Sequence, residues 1–133
     1  MGKSIGTATL LGVVCLALMP TAPAYAANWV YVTISDSNAV WYYDSDTIQR
    51  SGNQVSVWLK IDHSRDKTVK HRESRGRYRF DCEMTTNTLL QMTDYYRDGK
   101  IETVIYKTYQ QEEQAIAPDT VAEEMFEAVC RQN

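Results

Sequence analysis

Residues 75–84 read RGRYRFDCEM. Tyr78, Phe80, Cys82 and Met84 alternate with Arg77, Arg79, Asp81 and Glu83. That is the period-two pattern of a strand with one apolar face and one wet face. The apolar row carries a cysteine, so it must look at whatever Cys82 bonds. A second alternating run lies at 54–62 (QVSVWLKID), where Val55, Val57, Leu59 and Ile61 oppose Ser56, Trp58, Lys60 and Asp62. Outward from these two, 29–35 (WVYVTIS) and 40–44 (VWYYD) are rich in aromatic and branched residues, as strands are. Residues 88–96 and 101–109 complete six predicted strands. Asp36-Ser37-Asn38, Ser51-Gly52-Asn53 and Asp98-Gly99 supply turns. Residues 63–74 are polar without periodicity and read as a loop.

Near the C-terminus the period changes. Pro118 precedes Thr120-Val121-Ala122-Glu123, the form of a capping box. In that motif the Thr hydroxyl takes the third amide while the Glu reaches back. Ala122, Met125, Phe126, Val129 and Cys130 then share one helical face. Glu123 and Glu124 sit near the positive end of the helix dipole. Strands in series followed by one helix predict an α+β domain: an antiparallel sheet of about six strands with a C-terminal helix on one face.

The 133 residues are 44% hydrophobic and 23% charged, which excludes a disordered or fibrous chain. Residues 1–26 read as a secretory signal peptide: Lys3, an apolar run from Ile5 to Met19, then Pro20, Pro23 and Ala24-Tyr25-Ala26. The run is shorter than the roughly 20 residues a membrane span needs. Val14 before Cys15 and Leu16 after it are unlike a lipoprotein site, so no lipid anchor is expected. One domain, 27–133, remains, with two cysteines. In an oxidising compartment Cys82 and Cys130 are expected to bridge. The rival is two free thiols in a catalytic or metal role, though no His flanks either and there is no C-x-x-C. A bridge closes a loop of about 49 residues, worth about 4 kcal/mol in the chain-entropy model. It turns Tyr78, Phe80 and Met84, with the apolar row of 54–62, toward Phe126 and Val129. Trp58 and Lys60 then join Arg77 and Arg79 on the uncovered face, where a binding surface is to be sought.

Charge is unevenly placed. A formal net charge of -3 excludes nucleic-acid binding by bulk electrostatics. Yet Lys60, Arg65, Lys67, Lys70, Arg72, Arg75, Arg77 and Arg79 stand against only Asp62, Asp66 and Glu73, a local charge of about +5. Arg75, Arg77 and Arg79 at period two line up about 6.7 Å apart on a strand. A row of guanidinium forks suits sulfates, phosphates or carboxylates. The plainer alternative is a solvated strand face that resists aggregation. Candidate ligand-binding residues are therefore Trp58, Lys60, Lys67, Lys70, Arg72, Arg75, Arg77 and Arg79, for a protein or anionic polysaccharide. Most other aromatic residues are expected in the core or in cross-strand pairs. Glu112, Glu113, Asp119, Glu123, Glu124 and Glu127 make the C-terminal third acidic, so opposite ends can attract within one molecule or in a homodimer.

Chemistry finds little support. His63 and His71 lie in or beside the polar stretch, with no G-x-S-x-G motif, and read as solvated loop residues. Asp62, His63, Asp66 and His71 match no closed tetrahedral metal pattern. Asp44-Ser45-Asp46 opens like a calcium loop but lacks the later Gly and Glu, so it reads as a turn. No catalytic residue, metal or cofactor is expected.

Several of these features recur in order: Trp29, Tyr43-Asp44, Ser51-Gly52-Asn53, Val55-Ser56-Val57-Trp58, Asp81-Cys82, Ile116-x-Pro118 and a helix closing on Val129-Cys130. Together they resemble the surface-adhesin protein E-like family of Gram-negative bacteria. The resemblance spans nearly all of 27–133. It implies an antiparallel sheet with a disulfide-tethered C-terminal helix, and a non-enzymatic protein at the outer surface, secreted or in the periplasm. Namesake members are lipid-anchored adhesins for host extracellular-matrix and plasma proteins.

Overall fold

The computed structural model describes residues 26–131, with Gly2, Lys3 and Gly6. The rest of the expected signal peptide, Cys15 included, lies outside the described residues. The elements are β1 Trp29–Ile34, β2 Val40–Asp44, β3 Gln49–Ser51, β4 Gln54–Asp62, β5 His71–Asp81, β6 Thr86–Tyr96, β7 Ile101–Ile105, β8 Glu113–Ala115 and α1 Val121–Cys130. Every strand pair is antiparallel. The sheet runs β1-β2-β4-β5-β6-β7, with β3 on β4 and β8 on β6. The six predicted strands are the six of that path. β3 and β8, three residues each, are too short to show a period.

The run at 54–62 buries the row expected of it, and in the run at 75–84 Phe80 is buried with Tyr78 and Cys82 partly so. Val55, Val57, Leu59 and Phe80 form one core with Tyr43, Met125, Phe126 and Val129. The Cys82–Cys130 disulfide is present, with Cα atoms 5.6 Å apart. Helix α1 lies over β1, β2 and β4. Thr120 Oγ1 accepts the Glu123 N–H at 3.3 Å, as predicted. Glu123 reaches back one residue further than a capping box, to the N–H of Asp119 at 2.7 Å, because Asp119 takes a left-handed turn with φ 58°. At the other end of the helix Arg50, on β3, donates to the Val129 carbonyl at 2.7 Å and satisfies one of its orphan acceptors.

Three boundaries differ from the sequence reading. Residues 71–74 are strand, not loop: β5 begins at His71, and Glu73 pairs with Asp62 on one side and Tyr95 on the other. Ladder hydrogen bonds on both sides hold that segment, so it needs no apolar alternation, and an irregularity at Arg72 breaks the period further. β5 ends at Asp81, whose Oδ1 accepts the N–H groups of Glu83 and Met84 at 3.1 and 2.9 Å. This turn carries Met84 out of the core, to 66% exposure. β7 stops at Ile105 and the chain tightens into a 3-10 turn at Thr108–Gln110.

Candidate functional site

With α1 on one face, strand register decides what shares the other. Thr93, Arg75, Lys60, Tyr42 and Tyr31 form one row across β6, β5, β4, β2 and β1. Gln91, Arg77 and Trp58 form the next. Trp29, opposite Asp44 on β2, stands beside them. Between these side chains runs a groove of 440 Å³, walled by Trp29, Trp58, Arg75, Thr93 and Tyr95. Asp44 also lines it and is 5% exposed; its Oδ1 accepts the N–H groups of Asn28 at 3.0 Å and Asp46 at 3.1 Å. It caps the 3-10 turn Ser45–Thr47, in keeping with the turn reading of Asp44-Ser45-Asp46.

The cations of the groove are not loose. Arg75 Cζ lies 5.8 Å from the centre of the Trp29 ring and 5.2 Å from that of Tyr95. Its Nε donates to Glu73 Oε1 at 2.6 Å. Lys60 Nζ sits 5.0 Å from the Trp29 ring and 4.2 Å from the Tyr42 ring. Aromatic faces and a carboxylate thus fix where these charges stand.

The structure gathers some of the predicted residues and separates others. Trp58 and Arg75 line the groove, and Lys60 stands against Trp29 beside it. Arg72, exposed, borders an adjoining 280 Å³ depression shared with Arg75 and Tyr95. Arg77 and Arg79 lie on the same face but outside the groove lining, and Arg79 Nη2 donates to Gln111 Oε1 at 3.4 Å. Lys67 and Lys70 belong to the 63–70 loop; Lys67 Nζ donates to the Ser64 carbonyl at 3.0 Å. Trp29, Asp44 and Tyr95 were not among the candidate binding residues of the sequence reading. The parity of Thr93 and Tyr95 with Arg75 follows only from the hairpin register.

The two histidines correct the expectation of solvated loop residues. His63 is 8% exposed. Its Nδ1 lies 3.4 Å from Asp66 Oδ2, its Nε2 lies 3.4 Å from Ser74 Oγ, and the ring centres of His63 and His71 are 4.9 Å apart. Arg97 Nη2 donates to the carbonyls of His63 and Asp66 at 2.7 and 2.8 Å, which folds the loop back over the end of the sheet. Burial pushes the His63 imidazole below its ordinary value, and the hydrogen bond to Asp66 offsets part of that. Thr68, through hydroxyl and N–H, holds the Asp66 carboxyl down at about 2, with help from Ser37.

Asp66, His63 and Ser74 are the residue types of a nucleophilic triad, but not its wiring. Ser74 is buried and donates its proton to Asp94 Oδ1 at 2.5 Å, so it has none to pass to His63. Among the described residues no three His, Cys, Asp or Glu side chains gather as a metal site. Asp62 instead accepts the Ser64 N–H at 2.8 Å.

The family model of surface-adhesin protein E matches residues 29–131. The chain belongs to the surface-adhesin protein E family. A search of curated proteins by sequence finds no match. Among solved structures, protein E of Haemophilus influenzae in one crystal form is 16% identical, covering 87% of this chain and 96% of that one, with a TM-score of 0.56. Protein E from non-typeable Haemophilus influenzae is 17% identical over 85% of this chain and 81% of that one, with a TM-score of 0.53. At such identity the likeness speaks to the shared architecture. Family membership puts the chain among surface or secreted adhesin-like proteins. No helix among the described residues is long and apolar enough to cross a membrane.

Proposed function

We propose that this adhesin-E chain is an exported, non-enzymatic envelope protein that engages a host extracellular-matrix partner through the outer face of its sheet. The observation carrying this reading is the aromatic and cationic groove on the face that α1 leaves uncovered. The signal-peptide pattern of residues 1–26 supports export to the periplasm or beyond. Lys60, Arg72, Arg75, Arg77 and Arg79, with Lys67 and Lys70 on the nearby loop sequence, attract acidic protein patches or anionic polysaccharide. The committed proton of Ser74 supports a role without catalysis. Retention on immobilised matrix protein and on heparin tests the surface. The Arg75→Ala/Arg77→Ala/Arg79→Ala variant is expected to elute early at moderate salt; unchanged retention removes this site.

A second reading is a periplasmic assembly partner that dimerises through its sheet, without adhesion. It is favoured by β7, an end strand on which Ile101, Val104 and Ile105 are all exposed. Such an edge is a template for a second copy. Light scattering decides: a strict monomer at high concentration removes it.

A further inference from the structure

Taking the outer face as the binding surface, on which this step rests, we propose that the groove between Trp29, Trp58 and Tyr95 holds an uncharged pyranose unit of a glycan chain. Three observations point there. First, two indoles and a phenol, those of Trp29, Trp58 and Tyr95, line it. The C–H face of a sugar ring packs on such surfaces, while its hydroxyls need a few fixed polar partners around them. Second, the polar groups present are mixed in sign. Arg75 is paired with Glu73 and held between Trp29 and Tyr95, and Asp44 sets a carboxylate in the groove's lining. A sulfate or phosphate in the groove would meet a neutralised guanidinium and a repelling carboxylate. Hydroxyls suit both, donating to Asp44 and accepting from the remaining N–H groups of Arg75. Third, 440 Å³ is within the range of small-ligand pockets, and the adjoining 280 Å³ depression shares Arg75 and Tyr95 with it. A chain leaving the groove past Arg75 and Tyr95 would meet that depression. In this arrangement the basic residues outside the groove attract the partner and the groove grips a neutral ring.

Intrinsic fluorescence of the exported protein tests this directly, because two of its three tryptophans, Trp29 and Trp58, line the groove. A panel of neutral oligosaccharides is titrated beside a heparin fragment and a matrix-derived peptide. The expected result is a saturable change with at least one neutral oligosaccharide, with an affinity unaltered when sodium chloride rises about tenfold. Trp58→Ala is expected to weaken it by at least about tenfold. Thr93→Tyr, which fills the groove without removing an aromatic wall, is expected to do the same and serves if the first variant misfolds. No saturation by any neutral oligosaccharide overturns the proposal, as does a response confined to heparin with steep salt dependence, or to the peptide. The two levels separate cleanly. If the triple arginine variant loses matrix retention while the sugar titration stays flat, the sugar class falls and the outer face stands. If neither responds, the outer face falls too.

Discussion

A β-carbon added to Gly76 would lie 2.6 Å from Tyr78 Cε2 and 3.1 Å from Met92 Cε. Tyr78 leans across that gap, and burial pushes its phenol up to about 12. Gly76→Ala must displace the ring, so stability is expected to fall by about 1–3 kcal/mol, read from the urea midpoint; an unchanged midpoint means the ring has room. Asp66 carries a pH signature. In the fold its pKa is about 2, against 3.8 for the free side chain. A depressed carboxyl stabilises the fold fully above the unfolded value and loses that share as pH falls from about 4 through 2. The difference in urea midpoint between wild type and Asp66→Asn is therefore expected to be constant above about pH 5 and to shrink between about 4 and 2. A difference that stays constant down to pH 2 refutes this role. Neither feature was legible in the sequence. Gly76 carried no reading of its own, and His63, beside Asp66, was expected to be a solvated loop residue. The loop that carries them is tied down by Arg97, more than thirty residues away in the chain, which donates to the carbonyls of both, and no local pattern reports that.

At the scale of elements, α1 is short and owes its place to tertiary ties. Its amphipathic face packs on β1, β2 and β4, its first turn is capped by Thr120, and Cys130 binds it to the end of β5. Replacing both cysteines by serine is expected to cost about 4 kcal/mol, since the bridge spans 48 residues of sequence. A thiol assay on the unfolded, unreduced mature chain, which lacks Cys15, is expected to find none free, and two titratable thiols contradict the tether. Arg50→Ala leaves the Val129 carbonyl without that donor and is expected to cost about 1 kcal/mol, with protection from hydrogen exchange lowered first in the last turn of α1. The helix and the strands at 54–62 and 75–81 were legible because one face of each is buried, and burial writes a period into the sequence. β3, β8 and residues 71–74 were not, because backbone ladder bonds and polar side-chain ties such as Arg50 to the Val129 carbonyl and Ser74 to Asp94 hold them without an apolar period.

For the whole molecule, the sheet has one covered face, one open face and an apolar end strand. If β7 seats a second copy, Ile105→Lys is expected to abolish self-association in light scattering without lowering the melting temperature, because Ile105 is 68% exposed in the single chain. A wild-type monomer at every concentration sets that contact aside. The sequence by itself determined the α+β class, the six principal strands, the capped helix, the bridged cysteine pair and the family. Each of these leaves a local trace: a period, a cap, a parity of cysteines, an ordered set of short motifs. Only the tertiary structure decided that Trp29, Trp58, Arg75 and Tyr95 enclose one groove, that Arg77 and Arg79 stand outside it, and that His63 is buried. Those facts depend on register between strands far apart in the chain. A shift of one residue in any pairing would send the same side chains to the opposite face.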